Sequence, residues 1–509
     1  MAKHRPFPHL PLVDDPAVQA SARLLWDRAA TLHDGIGEEQ AALIAGARAI
    51  EDIPALLRQD PTRRSRVDDV KPGRCRPTTR IHESQLITEK FTRTGADWAA
   101  FLRDGQPILP IMCHYMEAFS RYTRDRSQVE EELKAIKAAG YTGIRFLDIL
   151  NVQPFWEGRE VNPIDVPDVA KTERYYEKLE DFLAYCKEIG LLVNWSRGDL
   201  EAYSSDQRTE HFTRIGEIAC AVGVETIAVF EVVNESDLNG FTDDFEGLLP
   251  LLNTFFSKAG TTMLSALSSP LVAEDEGELA RTSAGVPIAM AHGHRGNDLY
   301  NKLFAIRVIR AAGELWPGKA VWQDEPPGAG TSGTDSPEEM DEQGMTLMAL
   351  QALLHDQAYS VTLKNAVRWN STFSKDAGFY AVPAAVAKLP NDLMTWLPAI
   401  RSEPNWPIPG VHPKAELIAH DLAQGPLIEQ RTSFQQGSGR IAAIAYRKVG
   451  VFDTGIRSMK RRWKGIAYRF TNEPPYVVKF DTFDLSKGDH TSLNFPSGTR
   501  GYLLLGNAI

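Results

Sequence analysis

Short apolar runs alternate with long amphipathic stretches between about residue 105 and residue 400, and this alternation restricts the possible folds more than any other feature of the chain. Eight runs read as strands, at 107–113, 141–147, 191–195, 226–233, 271–273, 286–290, 320–323 and 359–367. Between them lie helical patterns at 129–139, 175–188, 212–220, 298–312 and 337–355, the first three closed by Gly140, Gly190 and Gly223. Glycine is the residue that most easily takes the left-handed conformation ending a helix. Eight strands alternating with helices over about 300 residues predict a (β/α)8 barrel, an α/β fold with one parallel sheet. A doubly wound sheet would hold its ligand at a topological switch point, yet no GxGxxG or GxxxxGK[ST] follows any strand.

The flanks differ in texture. Residues 1–100 carry helical pattern between Pro- and Arg-rich stretches, and Val18, Ala22, Leu25, Ala29, Leu32 and Ile36 follow a 4-3-4-3-4 spacing. That is a coiled-coil repeat lasting under three heptads, with Asp15-Pro16 as a helix start. It reads either as an amphipathic helix packed on its own domain or as a small oligomerising stalk. Residues 101–405 form the barrel, and 412–509 hold short strands at 440–446, 463–470, 476–483 and 502–505 between Gly/Ser/Pro turns, which predict a small β-sandwich.

A net charge of -11 leaves no general attraction for nucleic acid or anionic membrane, and the basic run 460–464 reads as a solvated strand face. The four cysteines, Cys75, Cys113, Cys186 and Cys220, form no CxxC pair and predict neither a disulfide framework nor a zinc site. No apolar stretch approaches the roughly 18–20 residues of a membrane span. The N-terminus lacks a signal-peptide core, so the expectation is synthesis in the cytoplasm followed by release or virion association.

In a β/α barrel, chemistry sits at the C-terminal strand ends. The fourth run ends in Asn234-Glu235-Ser236 and the seventh in Asp324-Glu325-Pro326-Pro327, so two carboxylates 90 residues apart in sequence face each other across one mouth. Such a pair suits glycoside cleavage: one carboxyl protonates the leaving oxygen while the other attacks or stabilises the oxocarbenium-like centre, their pKa values split by burial and repulsion. Asn-Glu on strand four with Glu on strand seven resembles the clan A retaining glycoside hydrolases, in particular the family 5 cellulase-like group. The resemblance covers the barrel alone and implies Glu235 as acid/base, Glu325 as nucleophile, Asn234 on the sugar 2-hydroxyl, Arg145 supporting the nucleophile and Trp369 as a stacking aromatic. The third strand end, Asn194-Trp195-Ser196, lacks the family's usual His, and the sixth offers His292 and His294 where a Tyr is common.

Strand alternation puts Gln323 with Glu325 and Trp322 with Asp324; an outward Trp322 would turn Glu325 into the mouth. The same parity sends Glu231 inward, where Arg145 is a candidate partner. Asn194, Trp195, His292 and His294 are expected substrate contacts, as is Trp369; Trp156 falls in another post-strand loop, and the cluster 274–276 reads as a solvated loop. The expected substrate is a carbohydrate, with no metal or organic cofactor. Two rivals stand beside this reading: a non-catalytic carbohydrate-binding barrel, and a metal-dependent hydrolase built on His292 and His294, with His114 as a further strand-end His. A trimeric stalk ahead of a glycan-degrading barrel resembles the layout of bacteriophage tail proteins.

Overall fold

The computed structural model describes residues 85–93, 96–149, 169–198, 200, 203–236, 245–269, 285–292, 319–326, 340–363, 373–397, 400–401, 415–419, 427–435, 438–447, 455–492 and 496–509. The heptads at 18–36 lie outside them. Residues 87–103, placed above in a helical region, form an antiparallel hairpin instead, β1 (Ile87–Arg93) and β2 (Ala96–Arg103), extended by β3 (Gln106–Pro107). Thr88, Phe91, Thr92 and Trp98 are residues that favour strands, and Asp104-Gly105 makes the second turn with positive φ at both positions.

Eight parallel strands follow: β4 (Ile111–His114), β5 (Gly143–Leu147), β6 (Leu192–Ser196), β7 (Ile227–Asn234), β8 (Ser265–Ser269), β9 (Ile288–Ala291), β10 (Ala320–Gln323) and β11 (Gln357–Thr362). The sheet runs β8-β7-β6-β5-β4-β11-β10-β9, and its two end strands lie side by side, so the sheet is a nearly closed barrel. Seven of the eight expected strands overlap these. The fifth does not: β8 is the serine-rich Ser265–Ser269, whereas the apolar run 271–273 lies outside the described residues. Serine is a poor strand signal, and the physical reason for it becomes plain only at the site.

Helices surround the barrel: α1 (Ala118–Tyr122), α2 (Arg126–Ala139), α3 (Val169–Glu188), α4 (Ser205–Val222), α5 (Phe245–Ala259), α6 (Glu342–Leu354) and α7 (Ala381–Val386). Asp125 caps α2 by accepting from Gln128 N–H, and Gly140 ends it at φ +102°. Ser204 and Gln207 form a reciprocal capping box on α4. Among the described residues no helix is long and apolar enough to cross a membrane.

Inside and outside of the barrel alternate along each strand. Phe146, Trp195 and Phe230 are cross-strand neighbours on the outer face, where Trp195 stacks on Phe146 at 6.2 Å and meets Phe255 of α5 edge-on. Arg145, Asn194 and His114 share the inner face at one level. Trp322 belongs to that inner face through its pairing with Ala358, two residues before Ser360, whose hydroxyl accepts the indole N–H at 3.3 Å. Phe101 of the hairpin meets Trp322 edge-on at 5.6 Å, an arrangement worth about 1 kcal/mol beyond burial. Trp322 is therefore core, but it faces inward rather than outward.

The C-terminal strands are β12 (Ile400–Arg401), β13 (Leu417–Ala419), β14 (Leu427–Gln435), β15 (Ser438–Tyr446), β16 (Gly455–Ser458), β17 (Trp463–Phe470), β18 (Val477–Leu485), β19 (His490–Ser492) and β20 (Gly501–Ala508). They form antiparallel sheets of six strands (β12-β14-β15-β20-β17-β18) and three (β13-β16-β19). Leu417 and Ile456 of the small sheet pack with Ile441, Trp463, Phe483 and Tyr502 of the large one. In the basic run, Trp463 is buried while Arg462 pairs with Asp484 at 2.7 Å on the exposed face. Cys113 and Cys186 are free and buried, but Cys220 is disulfide-bonded, contrary to the expectation of no disulfide; the remaining cysteine, Cys75, lies outside the described residues.

Glu342, in the first turn of α6, accepts the Gly378 N–H, yet burial pushes its carboxyl up to about 7, helped by Asp341, Glu473 and Asp376 nearby. A carboxyl raised in the folded state favours the protonated form, so stability falls as pH rises from the unfolded value near 4.5 through 7. Glu342→Gln removes that slope. Thermal unfolding should show the variant matching the parent at pH 4.5 and exceeding it at pH 8 by about 1 kcal/mol, a figure reduced for partial exposure.

Candidate active site

Arg145 rises from β5 into the barrel and is fully buried. Gly143, two residues earlier on the same face, leaves room for the adjoining strand: a Cβ there would lie 2.2 Å from the Leu192 carbonyl oxygen. All three guanidinium nitrogens are engaged. Nε lies 3.0 Å from Asp324 Oδ2. Nη1 donates to Glu325 Oε2 at 3.2 Å and lies 3.2 Å from His114 Nε2, which accepts when the ring proton sits on Nδ1. Nη2 donates to Glu231 Oε2 at 3.3 Å and to Asn234 Oδ1. Burial works against the charged form, but Asp324, Glu231 and Glu325 outweigh it and hold the guanidinium charged more firmly than usual.

Glu231 points inward as parity predicts. Burial, together with the Asp324 charge, pushes its carboxyl up; Arg145 and the hydroxyls of Ser196 and Ser269 oppose the rise. The serines of β8 now have a physical account. Ser269 donates to Glu231, and Ser268 Oγ accepts the Ser236 N–H at 2.9 Å just beyond Glu235. A strand that solvates a buried acid cannot be uniformly apolar.

Asn234 ends β7 and its N–H donates to the Arg197 carbonyl at 2.7 Å. Arg197 is itself held by Asp148 at 3.2 Å and lies over the Phe230 ring at 3.9 Å. With the strand end pinned, Glu235 adopts φ +44°, a left-handed conformation that costs a non-glycine residue on the order of 1 kcal/mol or more. Its carboxylate Oε1 meets His292 Nδ1 at 2.7 Å. His292 Nε2 lies 3.5 Å from Asp324 Oδ1 and 3.6 Å from Glu325 Oε2. One carboxylate oxygen each of Glu235 and Glu325 and a ring nitrogen of His292 all lie within 4.8 Å of one another. A divalent ion can span such a spacing; in this structure Arg145 and His292 are the groups set against the carboxylates.

The structure thus brings Glu235, Glu325, Asn234, Arg145 and His292 together. One expected substrate contact is corrected. Trp195 is fully buried among outward-facing aromatics, its indole N–H donating to Asp148 Oδ2 at 2.8 Å, so it presents no face to a sugar. Asn194 faces inward but is fully buried one inner level beneath Ser196. His294, Trp369 and Trp156 lie outside the described residues. Strand alternation sets Asp324 on the face of Trp322, and because Trp322 faces inward, Asp324 is in the site. The strand ends at Gln323; Asp324 continues the inward face of Trp322, and Glu325 reaches the same cavity because regular alternation stops there. Ser196, Ser269 and Arg197 were not singled out from sequence; the serine pair opposite a buried Glu was the available signal.

The chain is similar to solved structures. One, a glycoside hydrolase family 5 protein from Bacteroides vulgatus ATCC 8482, superposes with a TM-score of 0.57 at 14% identity, over 84% of this chain and 95% of that one. A second, a glycoside hydrolase, gives 0.52 at 12% identity, over 83% and 97%. No protein-family model and no curated protein matches the sequence. At such identity the likeness establishes the fold, a (β/α)8 barrel carrying C-terminal antiparallel sheets.

Arg145→Met leaves Glu231 and Asp324 without their shared cation. Chemical denaturation should report a loss of about 3–5 kcal/mol, the cost of breaking a buried pair from one side. A loss below about 1 kcal/mol would show that Arg145 does not hold the site together.

Proposed function

We propose that this chain is a glycoside hydrolase that cleaves β-glycosidic bonds of a poly- or oligosaccharide with retention of configuration. The observation that carries this reading is the approach of the Glu235 and Glu325 carboxylates, whose nearest oxygens lie within 4.8 Å of each other with His292 between them. Retaining enzymes keep their two carboxyl groups about 5–5.5 Å apart, whereas inverting ones leave about 6.5–9.5 Å for a water.

In this reading Glu235 protonates the leaving oxygen while Glu325 attacks the anomeric carbon and forms a glycosyl ester. Glu235 then takes a proton from water, which displaces Glu325. Arg145 donates to Glu325 Oε2 and so directs the other oxygen as the nucleophile. Asn234 accepts from Arg145 through Oδ1, and its NH2 is the end that can reach a sugar 2-hydroxyl. The strained backbone at Glu235 fits an acid held in one orientation rather than one chosen by local preference. The likeness to glycoside hydrolase barrels raises the prior for this chemistry, and the assignment itself rests on the site.

The same proposal takes the heptads at 18–36 as an oligomerising stalk, of the kind a virion-associated glycan hydrolase would use. Light scattering of the intact chain should then give a trimer, and a strict monomer would remove the stalk.

Glu235→Gln and Glu325→Gln should each lower kcat by about three orders of magnitude on a glycan the parent cleaves, with circular dichroism unchanged. Parent activity should survive chelators. Near-parental turnover by either variant would overturn the roles, and glycan binding without product release across a broad panel would make the barrel a binding module.

A further inference from the structure

His292 stands between carboxylates on both sides. Nδ1 is 2.7 Å from Glu235 Oε1, and Nε2 faces Asp324 Oδ1 at 3.5 Å and Glu325 Oε2 at 3.6 Å. The Asp324 and Glu325 carboxylates only accept, and Glu235 accepts through Oε1 while its acid proton sits on Oε2, so each ring nitrogen must carry a proton for both approaches to be favourable. A neutral ring serves one side and turns a lone pair toward the other. Asp324 meets two cations at once, Arg145 Nε at 3.0 Å and His292 Nε2, and both of those cations also bear on Glu325.

We propose that Asp324 is a positioning residue whose fixed charge grips Arg145 and His292 together and thereby holds the His292 imidazole doubly protonated with Nδ1–H directed at Glu235. The ring would then tie the end of β10 to the end of β7, aligning the two reactive carboxylates through one hydrogen bond and one shared charge. The groups facing it are Glu235 from β7 and Asp324 and Glu325 from β10. Arg145 from β5 and Glu231 from β7 face Asp324, and His114 from β4 backs the guanidinium. Burial opposes charge on His292, but Asp324, Glu325 and Glu235 override it and carry its pKa well above the usual histidine range. Asp324 is itself held below the usual carboxylate range: burial would raise it, and Arg145 and His292 reverse that. The consequence for catalysis rests on the glycosidase reading; the consequence for the state of His292 does not.

The test follows the side-chain nitrogens of His292 by NMR in the intact, histidine-labelled chain, with its resonances assigned by their loss in His292→Gln. In the parent, His292 should stay doubly protonated at pH 7.5. In Asp324→Asn, which keeps shape and removes charge, it should lose its proton at lower pH. The same variant should lower kcat about 100-fold with KM within about 3-fold, the expected effect of misorienting a catalytic group. The alkaline limb of its pH profile should move to lower pH, a change that a merely destabilising substitution would not produce. A neutral His292 in the parent at pH 7, or an unmoved titration in Asp324→Asn, would overturn the inference. A neutral His292 in the parent overturns the inference even if that variant fails to fold, or if the chain cleaves no glycan offered to it.

Discussion

A single buried guanidinium organises the mouth of this barrel. Arg145 spends one nitrogen on Asp324, one on Glu325 and one on Glu231 with Asn234. Isolated carboxylates in such a place would be expelled or protonated, because burial penalises charge by several kcal/mol per ion. Grouped around Arg145 and His292 they become mutually supporting. Two serines complete the solvation of Glu231, the acid farthest from the opening. The layer beneath is filled by Trp322, which packs edge-on against Phe101 of the hairpin.

The Glu235 and Glu325 carboxylates are held by different means. Glu325 follows a strand that has just ended and is drawn in by charge. Glu235 follows one whose last residue is pinned by the Arg197 carbonyl, and it bears a left-handed backbone. Arg197 owes its own position to Asp148 and to the outer aromatic layer of Trp195 and Phe230. Trp195 thus contributes to the site from behind, through packing, and not by stacking on substrate. Local strain of this kind persists only where the surroundings determine it more strongly than the residue's own preference.

Much of this was legible in the sequence because it depends on period and chain order. Apolar runs with glycine-ended helices between them announce a barrel, and carboxylates at the ends of runs four and seven announce a shared cavity. The inward Glu231 and its pairing with Arg145 follow from alternation and the cost of an unpaired buried charge. The misreadings share another cause. Strand five is written in serines because its side chains serve a buried acid, so an apolar search passes over it. Trp195 sits at a strand end by sequence, but it faces outward into the aromatic layer between strand and helix. Alternation gives relative faces and not which face is inside, so the inward placement of Trp322 and Asp324 comes from the structure alone. The hairpin at 87–103 carries strand-forming residues that the surrounding helical pattern obscured.

In the proposed reaction Glu325 becomes covalently bonded to the sugar while Glu235 manages the proton. Its most direct test is mass spectrometry of the intact chain and its peptides after reaction with activated 2-deoxy-2-fluoro β-glycosides, which slow the second displacement more than the first. The account predicts one glycosyl group per chain, on the peptide and residue bearing Glu325, and none in Glu325→Gln. A cleaved glycoside with no adduct on residue 325 and a product of inverted configuration would contradict it.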